Sequence, residues 1–118
     1  MKRGDILKGS KRGRGAAFHF IVFLDGRDSI SFIGAVLTHS SRYNDNVLMN
    51  EEHFRKSNAN GKKYGFNFDS TYLIVKRFIK LQEWGPFKKI GELTKEGIKF
   101  VEFKTNHQKP ILWDNYKT

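Results

Sequence analysis

Cysteine is absent from the 118 residues of this chain. A disulfide framework and a thiolate metal site are therefore both excluded. No stretch has the charge-free apolar length that a membrane span needs, and the first residues lack the apolar core of a signal peptide. We therefore expect a soluble, cytoplasmic protein with no membrane attachment.

Metal-binding and nucleotide-binding motifs are also missing. The 4 histidines are scattered through the chain, and none of them form the H-x-x-x-H pair of a helical metal site. The glycine-rich stretch 9–17 matches neither the P-loop nor the dinucleotide-binding pattern. We therefore predict no metal and no cofactor, and we reject a nucleotide-binding fold.

Acidic residues are few relative to basic ones. The chain has 12 Asp and Glu against 22 Lys and Arg, which gives a formal net charge of +10. Such an excess favours polyanions through long-range attraction and the release of counterions. The plainer alternative is a basic protein that is merely soluble. The charge thus indicates a class of partner and no particular chemistry.

The size and the apolar content favour one folded domain over residues 1–118. Hydrophobic residues make up 38% of the chain, and 11 of them are Phe, which is enough to form one core. No internal repeat or linker interrupts the sequence. We predict mobile basic loops at 9–17 and 57–65, and a tail at 105–118 that either packs or stays loose.

The central strands are the clearest local prediction. Residues 18–24 and 29–38 are rich in branched and aromatic side chains, and the Asp-Gly stretch 25–28 between them is typical of a hairpin turn. Antiparallel pairing would bring Phe18-His19 and Thr38-His39 to the same end of the sheet. A short strand at 4–9 precedes this hairpin.

Further along, the segment 66–83 is β-rich and predicts two strands that are divided near Asp69-Ser70. Residues 93–104 predict a C-terminal helix with Thr94 as its N-cap, and Asn50 is placed to cap a short helical turn. Strand content exceeds helix content. The sequence therefore predicts a mainly β domain with a C-terminal helix, of class α+β, folded as a small curved barrel.

The apolar residues of the predicted strand 29–38 give way abruptly to polar residues at Thr38. Thr38, His39 and Ser40 follow one another, and their hydroxyls and imidazole suit a phosphate or a ribose hydroxyl. His19, at the same end of the predicted hairpin, lies next to the basic loop. An imidazole exchanges protons near neutral pH, although a histidine at the edge of the core is the plainer alternative.

Cations and aromatic residues are interleaved in two further segments. They are Lys62, Lys63 and Tyr64 in the predicted loop, and Lys76, Arg77, Phe78 and Lys80 in the β-rich segment. Cations of this kind hold a nucleic-acid backbone while rings stack on unpaired bases. The alternatives are core packing for Phe78 and a solvated sheet face for Lys76 and Lys80.

Five segments follow a familiar order along the chain: "KRGDIL", "HFIVFL", "FIGAVLTHS", "YLIVKRFIKL" and "KKIGELTKEGI". In order and spacing they resemble the PemK/MazF-like toxins over roughly residues 2–102. The resemblance implies an SH3-like barrel, a homodimer, and an acidic antitoxin protein as a partner. It also implies the activity of the family, which is metal-independent cleavage of single-stranded RNA.

The resemblance assigns roles to individual residues. Thr38 matches the active-site threonine of the family, and His19 falls where many members have Arg followed by Pro, whereas Phe20 follows here. Arg12 and Arg14 fall in the loop that contacts RNA or the antitoxin. Where some members carry an acidic residue on a later strand, this chain has Lys76 or Arg77.

The implied reaction needs a base, an acid and cations that stabilise the transition state. We expect His19 and Thr38 to be catalytic, with His19 as the acid or base. The predicted RNA contacts are Arg12, Arg14, His39, Ser40, Lys76 and Arg77. Two alternatives remain open: a non-catalytic nucleic-acid-binding module with the same barrel, and an interaction protein that binds an acidic partner.

Overall fold

A mostly antiparallel β-sheet and one α-helix make up the fold of the described residues. The computed structural model describes residues 1–10, 18–39, 46–65, 69–82 and 85–113, and only the backbone at 10, 18 and 19. The strands are β1 (Asp5–Ser10), β2 (Phe18–Asp28), β3 (Ser31–Thr38), β4 (Val47–Leu48), β5 (Tyr72–Leu73), β6 (Phe78–Leu81), β7 (Lys88–Glu92) and β8 (Ile111–Leu112). Helix α1 spans Lys95–Thr105, and a 3₁₀ turn spans Glu51–His53. The prediction of a mainly β domain with a C-terminal helix is confirmed.

Strands β2 and β3 form the predicted antiparallel hairpin, but the turn predicted at 25–28 is wrong. Strand β2 continues to Asp28, and the chain reverses at Ser29-Ile30. The carboxylate of Asp28 accepts hydrogen bonds from the backbone N–H of Ile30 at 2.9 Å and from the hydroxyl of Ser31 at 2.8 Å. This turn, which is stabilised by the Asp28 side chain, places the reversal four residues after the Asp25-Gly26 pair.

Both faces of the central strands are buried. One face gathers Ile6, Val22, Leu24, Ala35, Leu37, Leu73 and Val101. The other face gathers Leu7, Ile21, Phe32, Val36, Ile74 and Phe78. Because successive side chains of a strand point to opposite faces, a strand that is covered on both sides needs a continuous apolar run. The first face packs under α1.

The main path of the sheet runs in the order β4-β5-β3-β2-β1-β7. Within the described ranges, no strand pairing joins β4 to β7. The chain after β4 instead meets the end of β7 through one bridge, between Phe54 and Leu93, and through a hydrogen bond from Arg55 N to Glu92 O at 2.9 Å. The sheet is therefore not closed by continuous pairing, and β7 lies at its edge.

A turn lies at Asp69-Ser70, where the sequence predicts a division, and residues 66–68 before it lie outside the described residues. The β-rich segment divides a second time, at residues 74–77, between β5 and β6. Strand β5 pairs with the end of β3 and strand β6 with its beginning, so the chain must step along β3 between them. A hydrogen bond from Lys76 N to Ile74 O at 2.8 Å tightens this step into a three-residue turn. Lys76 and Arg77 consequently lie between two strands.

The chain beyond α1 packs against the second face of the sheet. Strand β8 pairs in parallel with β6, and the Trp113 ring meets the Phe78 ring edge-on with centroids 4.9 Å apart. Lys80 is only 2% exposed, and its Nζ lies 4.2 Å from the centre of the Trp113 ring. The solvated position considered for Lys80 is therefore wrong, because alternation along β6 places it on the same buried face as Phe78.

Helix α1 begins as the sequence predicts. The Thr94 hydroxyl accepts a hydrogen bond from Gly97 N at 3.1 Å and donates one to Glu52 O at 2.7 Å, so one side chain caps the helix and ties it to the 3₁₀ turn. Gly97 is required at this contact, because a Cβ at that position would collide with the carbonyl group of His53. The helix and the 3₁₀ turn therefore pack backbone to backbone.

Buried His53 gives the first prediction. Its Nδ1 accepts a hydrogen bond from Asn50 N at 3.0 Å, and its ring lies 4.4 Å from that of Phe100.

Burial lowers the pKa of His53 from its usual value of 6.5, so below about pH 6.5 the unfolded chain binds a proton more readily than the folded one. We expect the free energy of unfolding to fall between pH 7 and 5, and to fall less in His53→Asn, whose amide oxygen keeps the acceptor. Urea denaturation at each pH measures both slopes, and equal slopes would contradict the assignment.

Candidate nucleic-acid interface

A basic groove lies at the end of the sheet where β3 ends. Its volume is about 590 Å³. The described residues that line it are Lys8, Phe20, His39, Asn58, Lys62, Lys63, Tyr64, Gly65, Lys88, Lys89 and Ile90. Five are lysines, three carry rings, and no carboxylate is among them. We refer to this surface as the basic groove.

Strand register assembles one side of the basic groove. Strand β1 pairs with both β2 and β7, so Lys8 lies opposite Phe20 on one side and opposite Lys88 on the other. The pairing shifts between Ile6 and Leu7, and Lys89 then pairs with Leu7. Lys8 and the adjacent pair Lys88-Lys89, which are distant in sequence, therefore meet beside one aromatic ring.

The turn at 57–65 supplies the other side. Asn58 organises it, because its side-chain oxygen accepts hydrogen bonds from the backbone N–H groups of Asn60 at 2.9 Å and Lys62 at 3.0 Å. Gly61 adopts a φ of 82° there, a conformation that favours glycine. Tyr64 N donates to Lys56 O at 3.0 Å. This network orders the segment that the sequence predicted as a mobile loop, and it places Lys62, Lys63 and Tyr64 on the groove.

His39 brings an imidazole to the basic groove. It directly follows β3, and its ring meets the Phe20 ring edge-on with centroids 6.1 Å apart. Pairing of Phe20 with Leu37 confirms that the start of β2 and the end of β3 lie at the same end of the sheet. Thr38 is half-buried there, opposite Tyr72 of β5. The polar sequence after β3 thus reaches the groove through His39.

The other residues predicted at this end are less fully described. His19 belongs to β2, where its backbone pairs with Gly9, and its side chain lies outside the described part. Arg12, Arg14 and Ser40 also lie outside the described residues. The roles predicted for these four residues stay predictions.

Lys76 and Arg77 are not brought to the basic groove. Arg77 donates from its Nε to the Thr105 hydroxyl at 3.1 Å, and its carbonyl oxygen accepts from Ile111 N at 3.0 Å. Both partners belong to the C-terminal part of the chain, so Arg77 joins the end of α1 to β8. Neither residue is among those that line the groove, and their placement beside His39 in an RNA site is not supported by this geometry.

An ion network limits the charge that one of the lysines offers. The Nζ of Lys89 lies 2.6 Å from Glu92 Oε1 and 3.2 Å from Asp5 Oδ1. The hydrogen bond between Lys89 and Glu92 raises the pKa of the lysine and lowers that of the glutamate. Lys89 is therefore charged but already paired, whereas Lys62 and Lys88 have no acidic partner among the described residues.

Tyr64 is tied to the same network. Burial and the negative charge of Glu92 raise the pKa of its hydroxyl. The hydroxyl consequently stays protonated at neutral pH and remains a hydrogen-bond donor. Its ring is half-buried and lines the groove, which suits a fixed surface for stacking.

Sequence reasoning missed Lys8, Lys88 and Lys89 as candidate site residues. The available signal was a single lysine in the predicted strand 4–9 and the adjacent pair at 88–89. Neither signal indicates that β1 and β7 are neighbours. The same reasoning singled out Lys62, Lys63 and Tyr64 as cations beside a ring, and the structure brings these three together with His39.

Within the described residues, no three His, Asp or Glu side chains are grouped closely enough to hold a metal ion. The same part of the chain has no helix with the length and apolar content needed to cross a membrane. Comparison of the chain with family models, curated proteins and solved structures finds no match to any of them.

Proposed function

We propose that this protein binds single-stranded RNA in the basic groove and cleaves it without a metal, as the toxin of a toxin–antitoxin pair. The observation that carries the proposal is the composition of the groove, which joins five lysines to three rings without a carboxylate. Lysines neutralise phosphates and release counterions. Rings offer a stacking surface to bases of any sequence.

Single strands fit the basic groove better than duplexes do. Phe20 and Tyr64 are half-buried, and His39 is exposed, so each ring is partly available at the surface. Stacking of one base on an aromatic side chain contributes about 1–3 kcal/mol. A duplex hides the faces of its bases, so only an unpaired strand gains this contribution.

The groove also contains an imidazole suited to the cleavage reaction, that of His39. The ribose 2′-oxygen attacks the adjacent phosphorus, its proton passes to a base, and the 5′-oxygen leaves with a proton from an acid. In this proposal the His39 imidazole supplies one of these proton transfers and His19 the other. Lys62 and Lys88 stabilise the negative charge that develops on the phosphate oxygens.

The remaining parts of the proposal come from the resemblance to PemK/MazF-like toxins. They are the SH3-like barrel, a homodimer and an acidic antitoxin as the partner. A cytoplasmic location is proposed separately, from the composition of the sequence. An acidic segment would bind the lysines that hold RNA phosphates, because both ligands are polyanions. Antitoxin and RNA would therefore compete for the basic groove.

The second prediction tests the function directly. Purified protein incubated with end-labelled single-stranded RNA in EDTA should produce discrete fragments that end in a cyclic phosphate, since the reaction uses the 2′-hydroxyl. The same RNA annealed to its complement should stay intact. Electrophoresis of both samples measures the difference, and an RNA whose 2′-hydroxyls are methylated provides the control for cleavage chemistry.

A non-catalytic RNA-binding module is the second candidate, and two observations favour it. Phe20 stands where many toxins of the family have proline, and Arg77 is engaged with the end of α1. Binding that weakens steeply with salt, without fragments in EDTA, would identify this second function. Absence of both binding and cleavage would favour an acidic protein partner.

A further inference from the structure

A second cavity adjoins the basic groove and shares two of its residues, Lys63 and Tyr64. Its volume is about 310 Å³, at the small end of the range for ligand pockets. The other residues that line it are Ile6, Glu51, Phe54, Arg55, Lys56, Gly91 and Glu92. We refer to this cavity as the side pocket.

The side pocket differs from the basic groove in charge. Glu51 and Lys56 form an ion pair with Oε1 and Nζ 3.0 Å apart, and Arg55 Nε lies 3.6 Å from Glu92 Oε2. Apart from Lys63, which it shares with the groove, the charged residues of the side pocket thus form two pairs of opposite charge, whereas the groove has an excess of lysines. The groove suits phosphates, and the side pocket suits an uncharged group.

The walls of the side pocket suit a flat, partly apolar group. Ile6 and Phe54 are only 1% and 4% exposed, and buried Gly91 adds backbone, so this part of the lining is apolar and lies against the core. Tyr64 lines both the pocket and the groove and therefore stands between them. An RNA base that leaves the groove would therefore lie against the Tyr64 ring.

We propose that the side pocket binds a guanine base of the RNA strand held in the groove, an inference that rests on the proposed function. Guanine presents two N–H donors on one edge, which a single carboxylate accepts together, and acceptors at O6 and N7, which a guanidinium donates to. Glu51 uses only one carboxylate oxygen for Lys56 among the described residues. Glu51 and Arg55 together supply this complementary pair.

The other bases match the pocket less well. Adenine and cytosine each offer one exocyclic amino group without an adjacent N–H donor, and uracil offers a single N–H between two carbonyl acceptors. Each of these bases would leave one carboxylate oxygen or part of the guanidinium without a partner. A good bidentate contact favours the matching base over another base by about tenfold in affinity. We therefore expect guanine to bind about tenfold more tightly than the other three bases.

The third prediction concerns this base preference. The probe is a labelled seven-nucleotide RNA of uridines, methylated at every 2′-hydroxyl to block cleavage, with uridine, guanine, adenine or cytosine at the centre. Fluorescence anisotropy should show about tenfold tighter binding of the guanine oligonucleotide to the wild-type protein. In Glu51→Gln this preference should fall to about twofold or less, because the amide retains only one acceptor oxygen, while binding of the all-uridine oligonucleotide persists.

Glu96→Gln is the matched control, since Glu96 is exposed on the first turn of α1 and the variant has the same net charge as Glu51→Gln. It should keep the full preference for guanine. Equal binding of all four oligonucleotides, preference for another base, or a preference that survives Glu51→Gln would overturn guanine recognition in the side pocket. Failure of every oligonucleotide to bind would overturn the proposed function as well, so the two failures are distinguishable.

Discussion

His39→Ala is expected to slow RNA cleavage by about a hundredfold or more while RNA affinity changes by about threefold or less. Loss of a general acid or base typically costs between about a hundredfold and ten thousandfold in rate. The ring of His39 contacts Phe20 at the groove, but the lysines provide most of the attraction for phosphates. Single-turnover cleavage measures the rate, and anisotropy with a methylated RNA measures the affinity.

His107→Ala is the control for this fourth prediction. His107 is exposed in the turn after α1 and does not line the groove, so its loss should leave both rate and affinity unchanged. His19→Ala, measured in the same way, tests the residue that the sequence assigns to acid or base catalysis. Full activity of His39→Ala with loss of activity in His19→Ala would restrict the catalytic imidazole to His19.

The double variant Lys62→Glu, Lys88→Glu is expected to bind single-stranded RNA about a hundredfold more weakly than the wild type at low salt. These two lysines come from opposite sides of the basic groove, and neither has an acidic partner among the described residues. A charge-assisted hydrogen bond contributes about 1.5 kcal/mol, so the loss of two corresponds to about a hundredfold in affinity. The slope of log affinity against log salt should also become shallower by about 1.4, since each phosphate contact on a single strand contributes about 0.7.

Lys99→Glu, Lys109→Glu controls for net charge in this fifth prediction. Each substitution lowers the charge by two, so both double variants have a net charge of +6 where the wild type has +10. Lys99 lies on α1 and Lys109 beyond it, and both are exposed and outside the groove. If the two double variants lose equal affinity, RNA is attracted by the overall charge of the protein and the groove is not its site.

The elements that the sequence predicts well are those with a local cause. The hairpin of β2 and β3 can be predicted from the sequence because both of its faces are buried and its strands therefore contain long apolar runs. Helix α1 is visible because Thr94 caps it and its apolar spacing fits a helix. The turn of the hairpin was misplaced because the segment contains two turn-forming sequences. The Asp25-Gly26 pair and Asp28 both favour a reversal, and the sequence alone does not show which of them forms it.

The basic groove could not be predicted because its residues come from five separate parts of the chain. Lys8 and Lys88 are 80 positions apart in sequence and become neighbours only through the pairing of β1 with β7. Lys76 and Arg77 illustrate the opposite error, since their proximity to aromatic residues in sequence suggested an RNA contact. A three-residue turn and a hydrogen bond to Thr105 instead direct this segment toward α1.

The position of β7 at the edge of the sheet has a consequence for aggregation. An edge strand exposes unpaired backbone groups to other chains, and lysines on such a strand discourage edge-to-edge association. Lys88 and Lys89 are exposed on β7, so the lysines proposed to hold RNA also protect the protein from self-association. Alanine variants at these positions would remove that protection together with RNA binding, whereas glutamate variants keep the edge charged and separate the two effects.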